Sequence, residues 1–150
     1  MKAKDIMQRD LTSILADESI DYFIKICKRH NVSALPVVDN NYSLVGYLSE
    51  SGVIKAALPD YLSLMQTSAF IPDSHQFFTG LNRILERPVK DFMEAAPLKV
   101  HPEDTVLYVA DIMIKNRLKF IPVVNEENRL IGNIQRISLL SNTLNEDFLE

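Results

Sequence analysis

An internal repeat constrains the fold of this chain more than any other feature of its sequence. The stretch VSALPVVDNNYSLVGYL, which starts at Val32, aligns with LKFIPVVNEENRLIGNI, which starts at Leu118. The same offset of 86 residues aligns the whole of 4–54 with the second copy, without a gap. A repeat of this length predicts two similar units that pack on each other, neither of which closes a core alone.

Each copy predicts the same order of elements, a strand, a helix, a β-hairpin and a second helix, and therefore an α/β fold. The first strands are predicted at Thr12–Leu15 and Leu98–His101. Acidic and hydroxyl residues then indicate a helix N-terminus, and apolar residues recur behind it at i, i+3, i+4 and i+7. The remaining predicted elements are the hairpin strands Ala34–Asp39 with Leu44–Ser49 and Phe120–Asn125 with Leu130–Gln135, followed by helices from about Glu50 and Arg136.

Composition narrows the class of protein. A net charge of -4 argues mildly against a general nucleic-acid binder. The single cysteine, Cys27, cannot form an intrachain disulfide, and no apolar run approaches the roughly 20 residues needed to span a membrane. No residue pattern is typical of a catalytic or metal site. We therefore expect a cytoplasmic protein that is not an enzyme, holds no metal and binds neither membrane nor nucleic acid.

The repeated motifs resemble the CBS domain, named after cystathionine β-synthase. Both copies carry a Lys-Asp-hydrophobic-Met start, an acidic helix cap, a Leu/Ile-Pro-Val-Val strand and a Leu-Val/Ile-Gly strand that runs into a helix. The resemblance implies two CBS repeats packed with pseudo-twofold symmetry, as in the family's Bateman modules. Repeat 1 is then 1–58, a helical apolar insert is 59–88, and repeat 2 is 89–150. Such modules commonly pair, so the resemblance also implies a homodimer.

The resemblance implies a function as well. Many members of the family bind adenosine-containing ligands (AMP, ADP, ATP or S-adenosylmethionine) in a cleft between the repeats and pass the state of that cleft to a regulated protein. We therefore expect a stand-alone regulatory module that binds such a nucleotide, or a similar small anion, as a regulatory ligand rather than a cofactor, and signals by conformational change. The alternative is a ligand-free dimeric scaffold that acts through its dimer face or its apolar insert.

The family places its ligand contacts at two positions in each repeat. One is the strand around the proline, where backbone and apolar side chains contact a base. The other is the start of the last helix, where a hydroxyl and an Asp hold phosphate and ribose. The matching candidates are Ser33, Ala34, Leu35, Pro36 and Ser49 in repeat 1, and Lys119, Phe120, Ile121, Pro122, Gln135, Arg136 and Ser138 in repeat 2.

Neither copy carries the complete nucleotide motif. The Asp position is held by Gly52 in repeat 1 and by Ser138 in repeat 2, where Gln135 also replaces the hydroxyl. Glu50 brings a negative charge to the place where phosphate would bind. Arg136 occupies the same place in repeat 2 and could clamp a phosphate.

Several candidates have two open roles. Ser49 either caps the following helix or contacts a ligand. Arg136 is either a solvated surface charge or an anion clamp, and Lys119 could reach a phosphate from the neighbouring strand. Phe120 belongs either to the core or to a base-stacking platform.

The insert has no counterpart in the repeat. Its sequence predicts helical pieces at Tyr61–Met65 and Gly80–Leu85, and it carries Phe70, Ile71, Phe77 and Phe78. A simple tether would be polar and rich in Gly or Ser. We therefore expect the insert to bury apolar surface, either over its own module or a dimer mate, or else as the lid of a cleft or a docking site for a partner.

Overall fold

The computed structural model describes residues 1–58 and 75–147 and has a mixed α/β fold with two similar repeats. In chain order its elements are α1 (Ala3–Ile6), β1 (Ile14–Leu15), α2 (Ile20–His30), β2 (Ala34–Val38), β3 (Leu44–Ser49), α3 (Glu50–Ala57), α4 (His75–Ile84), β4 (Glu94–Ala95), α5 (Val106–Lys115), β5 (Phe120–Val124), β6 (Leu130–Gln135) and α6 (Arg136–Asp147). The predicted helical piece at Tyr61–Met65 and the apolar residues Phe70 and Ile71 lie outside the described residues.

The repeat extends to the helix caps and to unusual backbone angles. Ser19 and Thr105 cap α2 and α5, and each side-chain oxygen accepts from the N–H three residues on, at 3.2 Å. Asn31 and Arg117, 86 residues apart, both follow these helices with a left-handed φ of 53°. That conformation costs a residue with a Cβ about 1 kcal/mol, so the shared backbone is imposed by the fold and not by the local side chain.

The predicted strand at Leu98–His101 is wrong. Only Val100 forms a bridge, to Val123, and its neighbours Leu98 and Lys99 are exposed. Pro97 and Pro102 flank the segment, and a proline removes the N–H that a continuous ladder would need. A strand that was not predicted, β4, pairs antiparallel with β3 instead.

Two sheets carry the hairpins. One has four strands in the order β1-β2-β3-β4, and the other is the antiparallel pair β5-β6, in which Phe120 lies opposite Gln135. Along β3 and β6 buried and half-buried residues alternate, so each strand has one face in the core and one face outside it. The outer faces carry the candidate ligand residues Ser49 and Gln135.

The described chain divides into two compact units, each with its own core. The first unit contains Ser13–Val37 and Val45–Ala95, and the second contains Met1–Thr12, Val38–Leu44 and the residues from Ala96 onwards. The first core includes Ile14, Phe23, Leu35, Leu48 and Val89, and the second includes Ala3, Ile6, Val109, Met113 and Ile134.

Each unit takes in the opening segment of the other sequence copy. In the second unit, Lys4 donates to Glu103 at 2.8 Å; in the first, the equivalent Lys90 donates to Asp17 at 2.9 Å. The same segments explain the glycine of the Leu-Val/Ile-Gly motif. A Cβ on Gly132 would lie 2.7 Å from the backbone oxygen of Gln8, so only glycine permits this approach.

The insert contributes α4 to the first unit. A Cβ on Gly80 would collide with the carbonyl oxygen of Ala57 in α3, so the two helices approach at backbone distance. Phe77 packs against the first core, as expected of an insert that covers its own module, whereas Phe78 is 55% exposed. The helix is longer than predicted and begins at His75.

Candidate functional site

In the second repeat, two cationic residues meet at the start of α6. The backbone N–H of Arg136 donates to the carbonyl oxygen of Lys119 at 3.4 Å, and the neighbouring pair Phe120 and Gln135 closes the β5–β6 ladder. These four residues form one group, called here the strand-end site. Because α6 begins at Arg136, the site stands at a helix N-terminus, where the backbone dipole favours negative charge.

The remaining candidates of repeat 2 are buried. Ile121 belongs to the second core and Pro122 is also buried. Ser138 is only 5% exposed, in the first turn of α6. Phe120, in contrast, is half-buried and is not among the residues that pack on the core of this described unit. The two predicted roles of Phe120, core residue or base platform, both stay predictions.

The sequence analysis missed one residue of β6, the strand that ends at Gln135. Asn133 lies opposite Pro122 in the ladder, and its side-chain N–H donates to the carbonyl oxygen of Asp10 at 3.0 Å. Its other side-chain atom, Oδ1, is buried without a hydrogen-bond partner among the described residues. An unpaired buried acceptor costs about 1–3 kcal/mol, so a ligand N–H group reaching it would be stabilised. The available signal was a polar residue in the otherwise apolar stretch Leu130–Ile134.

The first repeat has the same backbone arrangement with different side chains. The N–H of Glu50 donates to the carbonyl oxygen of Ser33 at 2.8 Å, which matches the contact between Arg136 and Lys119. Ser49 caps α3, since its hydroxyl accepts from the N–H of Gly52 at 3.2 Å. One of its two predicted roles is thus confirmed. Leu35 is buried in the core, and so are its neighbours Ala34 and Pro36.

Charge therefore distinguishes the two equivalent positions. Lys119 and Arg136 make the strand-end site of repeat 2 cationic, whereas repeat 1 has a serine and an acid there. A second difference lies on β3 and β6, where the first repeat has Tyr47 and the second has Asn133. Burial, and then the nearby Glu94 carboxylate, raise the pKa of Tyr47 to about 12, so this phenol is neutral at physiological pH.

Other ionic contacts hold the opening segments and do not form a site. Hydrogen bonds from Lys2 and then Lys4 lower the pKa of Glu103 to about 2.

In the part of the chain that the structure describes, no group of three or more His, Cys, Asp or Glu side chains could hold a metal ion. Within the same residues, no helix is both long and apolar enough to cross a membrane.

The family follows from a direct comparison with known proteins. The model of the CBS domain matches the chain twice, over residues 3–59 and 89–143. The chain belongs to the CBS-domain family. One relative of this CBS-pair protein is the uncharacterized protein MJ1426 of Methanocaldococcus jannaschii, which is 30% identical over 154 residues and aligns 93% of this chain with 89% of its own.

Solved CBS-pair structures share the fold. CBSX2 of Arabidopsis thaliana in complex with AMP has a TM-score of 0.74 at 22% identity, with 96% of each chain covered. The CBS domain pair of protein MJ0100, in complex with 5-methylthioadenosine and S-adenosyl-L-methionine, has a TM-score of 0.69 at 22% identity over 95% of this chain and 99% of that one. The predicted fold class, two CBS repeats of mixed α/β structure, is confirmed.

Proposed function

We propose that this CBS-pair protein is a regulatory module that binds an adenosyl nucleotide, or a similar small anion, at the strand-end site of its second repeat. The observation that carries the proposal is the backbone contact that brings the cationic residues Lys119 and Arg136 side by side at the N-terminus of α6. Among the side chains that the structure describes, Arg136 forms no ion pair. Its guanidinium is exposed and available for a bidentate contact with phosphate.

The rest of the site suits an adenosine group. Phe120 is half-buried next to Lys119, and an aromatic ring is a side chain on which a base can stack. Gln135, opposite it in the ladder, supplies both a donor and an acceptor at the start of the helix. AMP, ADP, ATP and S-adenosylmethionine are the ligands to test, because the family relatives described above were solved with AMP and with S-adenosyl-L-methionine.

The first repeat is a poorer site for the same ligand. Glu50 would repel a phosphate at the position that Arg136 fills in repeat 2, and Gly52 supplies no carboxylate for a ribose. Gly52 has room for a side chain, since a Cβ there would meet nothing closer than 3.5 Å. The lack of a ribose anchor is therefore a property of the residue and not of the backbone.

Signalling needs a further condition. A ligand shifts a conformational equilibrium only by its difference in affinity for the two states. We propose that ligand binding at the start of α6 changes the conformation of the module that a regulated partner recognises, and that this partner is a separate protein.

Thermal melting of the whole chain tests the proposal. The melting temperature should rise with the concentration of at least one adenosyl ligand, as mass action requires. Arg136→Ala should weaken binding about tenfold, because a hydrogen bond to a charged group contributes about 1.5 kcal/mol or more. Arg129→Ala is the matched control, since this exposed arginine lies in the hairpin loop of the same repeat. No shift with any ligand, or equal affinity in the two variants, would contradict the proposal.

A dimeric interaction scaffold is the second candidate, and an exposed apolar face favours it. Leu107 and Ile114 on α5 are 81% and 68% exposed, and Ile137 and Leu140 on α6 are 60% and 67% exposed. The first repeat has Asp21, Lys28, Ser51 and Ile54 at the equivalent positions. Apolar residues replace charged or polar ones at three of the four positions, which is typical of a contact surface.

We propose that this face pairs with the same face of a second copy, because a twofold dimer uses one self-complementary patch. The double variant Leu107→Asp/Ile114→Lys installs the residues of the first repeat on exposed positions, so the fold should tolerate it. Light scattering should show a dimer for the unmodified chain and a monomer for the variant. A dimer in both would place the contact elsewhere.

A further inference from the structure

The first unit contains a pocket that shares no lining residue with the strand-end site of the second repeat. It has a volume of about 370 Å³ and lies among α2, α3 and α4. Its walls are mainly apolar: Phe23 and Cys27 come from α2, Val53 from α3, and Phe77 and Leu81 from α4. Packed protein interiors have few voids larger than a water molecule, and ligand pockets begin at about 300 Å³. The volume thus lies in the range of small-molecule binding sites.

The insert supplies part of this pocket. Two of its walls, Phe77 and Leu81, belong to α4, which has no counterpart in the second repeat. The close approach at Gly80 holds α4 against α3. At the positions of Cys27 and Lys28 the second repeat has Met113 and Ile114. A small thiol and a cation on α2 are therefore specific to the repeat that α4 covers.

Three polar residues, Lys28, Asn31 and Glu50, also line the pocket. Lys28 forms no ion pair with any side chain that the structure describes. Its amino group and the amide N–H of Asn31 are donors that an acceptor on a ligand could use. Glu50 limits the choice, because its carboxylate disfavours a ligand that carries several negative charges.

The Cys27 thiol in the wall carries no charge. Burial, and then the Glu50 carboxylate, raise the pKa of Cys27 to about 11, so the thiol is protonated at physiological pH. It behaves there as a small apolar side chain. The pocket thus combines mainly apolar walls with one cation, one amide donor and one carboxylate.

We propose that this pocket binds a small amphipathic monocarboxylate, with its apolar chain or ring among α2, α3 and α4 and its carboxylate on Lys28. At about 30 Å³ for each water-sized group, the volume holds about a dozen non-hydrogen atoms. That size fits a medium-chain fatty acid or an aromatic acid and is too small for a nucleotide. Because two walls belong to α4, a bound acid would hold the insert against the first repeat.

Calorimetric titration of the full chain with octanoate tests the proposal, with octanol as the uncharged probe. Octanoate should bind the unmodified chain, and Lys28→Met should lower its affinity about tenfold, because the variant keeps the apolar stem and removes the charge. Octanol should bind both proteins equally. Lys25→Met is the matched control, since Lys25 lies on the same helix, pairs with Asp21 at 2.9 Å and is not a lining residue. Failure of octanoate to bind, or equal affinity in the two lysine variants, would overturn the proposal.

A second measurement places the ligand without any substitution. Cys27 is the only cysteine of the chain, so its alkylation can be followed by mass spectrometry. Octanoate at saturating concentration should slow this alkylation severalfold, and AMP should not. An unchanged rate would place octanoate outside the pocket. Octanoate binding that AMP abolishes would place it in the nucleotide site, and either result would overturn the proposal while leaving the proposed function intact.

Discussion

Glu50 and Arg136 occupy the same place in the two repeats and have opposite charges. In both, the backbone N–H of this residue donates to the carbonyl oxygen of the residue just before the neighbouring strand, at 2.8 Å in the first repeat and 3.4 Å in the second. The backbone therefore does not depend on which side chain stands there. Because the backbone permits either residue, the proposed function assigns the difference between the acid and the arginine to ligand binding.

The outer helix faces differ in the same way. The first repeat has α4 against α3, with a pocket between them, and charged residues on the exposed side of α2. The second repeat has apolar residues on the exposed sides of α5 and α6. The two copies of one fold thus have different surfaces, for which we propose a small amphipathic acid in the first repeat and a second copy of the chain in the second.

The largest expected effect is on the helix that only the first repeat has. Gly80→Ala should destabilise the chain by about 3 kcal/mol, because a Cβ would collide with rigid backbone at Ala57. Gly52→Ala is the control, since its Cβ would make ordinary contacts and alanine is favoured by about 1 kcal/mol within a helix. Urea unfolding measures both. Equal midpoints for the two variants would show that α4 is not held by this contact.

The glycine of the shared motif should be less tolerant in the second repeat. In Gly132→Ala the new Cβ meets the backbone oxygen of Gln8 at 2.7 Å, which cannot move freely. In Gly46→Ala its nearest neighbour is the sulfur of Met93, which can change rotamer, although the backbone oxygen of Glu94 is 3.0 Å away. We expect losses of about 2 and 1 kcal/mol in the free energy of unfolding. A larger loss for Gly46→Ala would reverse this comparison.

Alkaline pH should weaken the first unit more than the second. The pKa of Cys27 is raised from 9.0 to about 11 and that of Tyr47 from 10.0 to about 12, and their counterparts Met113 and Asn133 do not titrate. A raised pKa in the folded state means that the stabilising contribution is complete below the unfolded pKa and is lost as pH rises through the folded one. Stability should therefore fall between pH 9 and 12.

Cys27→Ala separates the two titrations. Hydrogen exchange should report earlier opening of α2 than of α5 above pH 9 in the unmodified chain, and the variant should lack the part of the loss between pH 9 and 11. If the variant follows the same curve as the unmodified chain, the thiol does not contribute to it.

Much of the fold could be predicted because the pattern for each element occurs twice in the sequence, once in each repeat. The strands Leu44–Ser49 and Leu130–Gln135 were predicted with the bounds that the structure gives, since alternation, a polar loop before them and a helix start after them agree in both copies. The exchange of opening segments could not be predicted. Lys4 could pair with Asp17 as well as with Glu103, because both copies carry the same lysine and an equivalent acid.

The site could be predicted in part. The repeated motif gives the positions of Lys119 and Arg136 in the sequence, but their backbone contact depends on the register of the β5–β6 hairpin. The pocket under α4 could not be predicted at all, because nothing in the repeat indicates where an insert without a counterpart will pack.

The stoichiometry of AMP binding tests the central claim, that the two equivalent positions have different roles. Calorimetry should give one AMP per chain for the unmodified protein, and none for Lys119→Ser/Arg136→Glu, which installs the residues of the first repeat. Glu50→Arg/Gly52→Asp, which gives the first repeat an arginine and a ribose anchor, should raise the ratio towards two. Two AMP molecules per unmodified chain, or one that remains in Lys119→Ser/Arg136→Glu, would contradict the account.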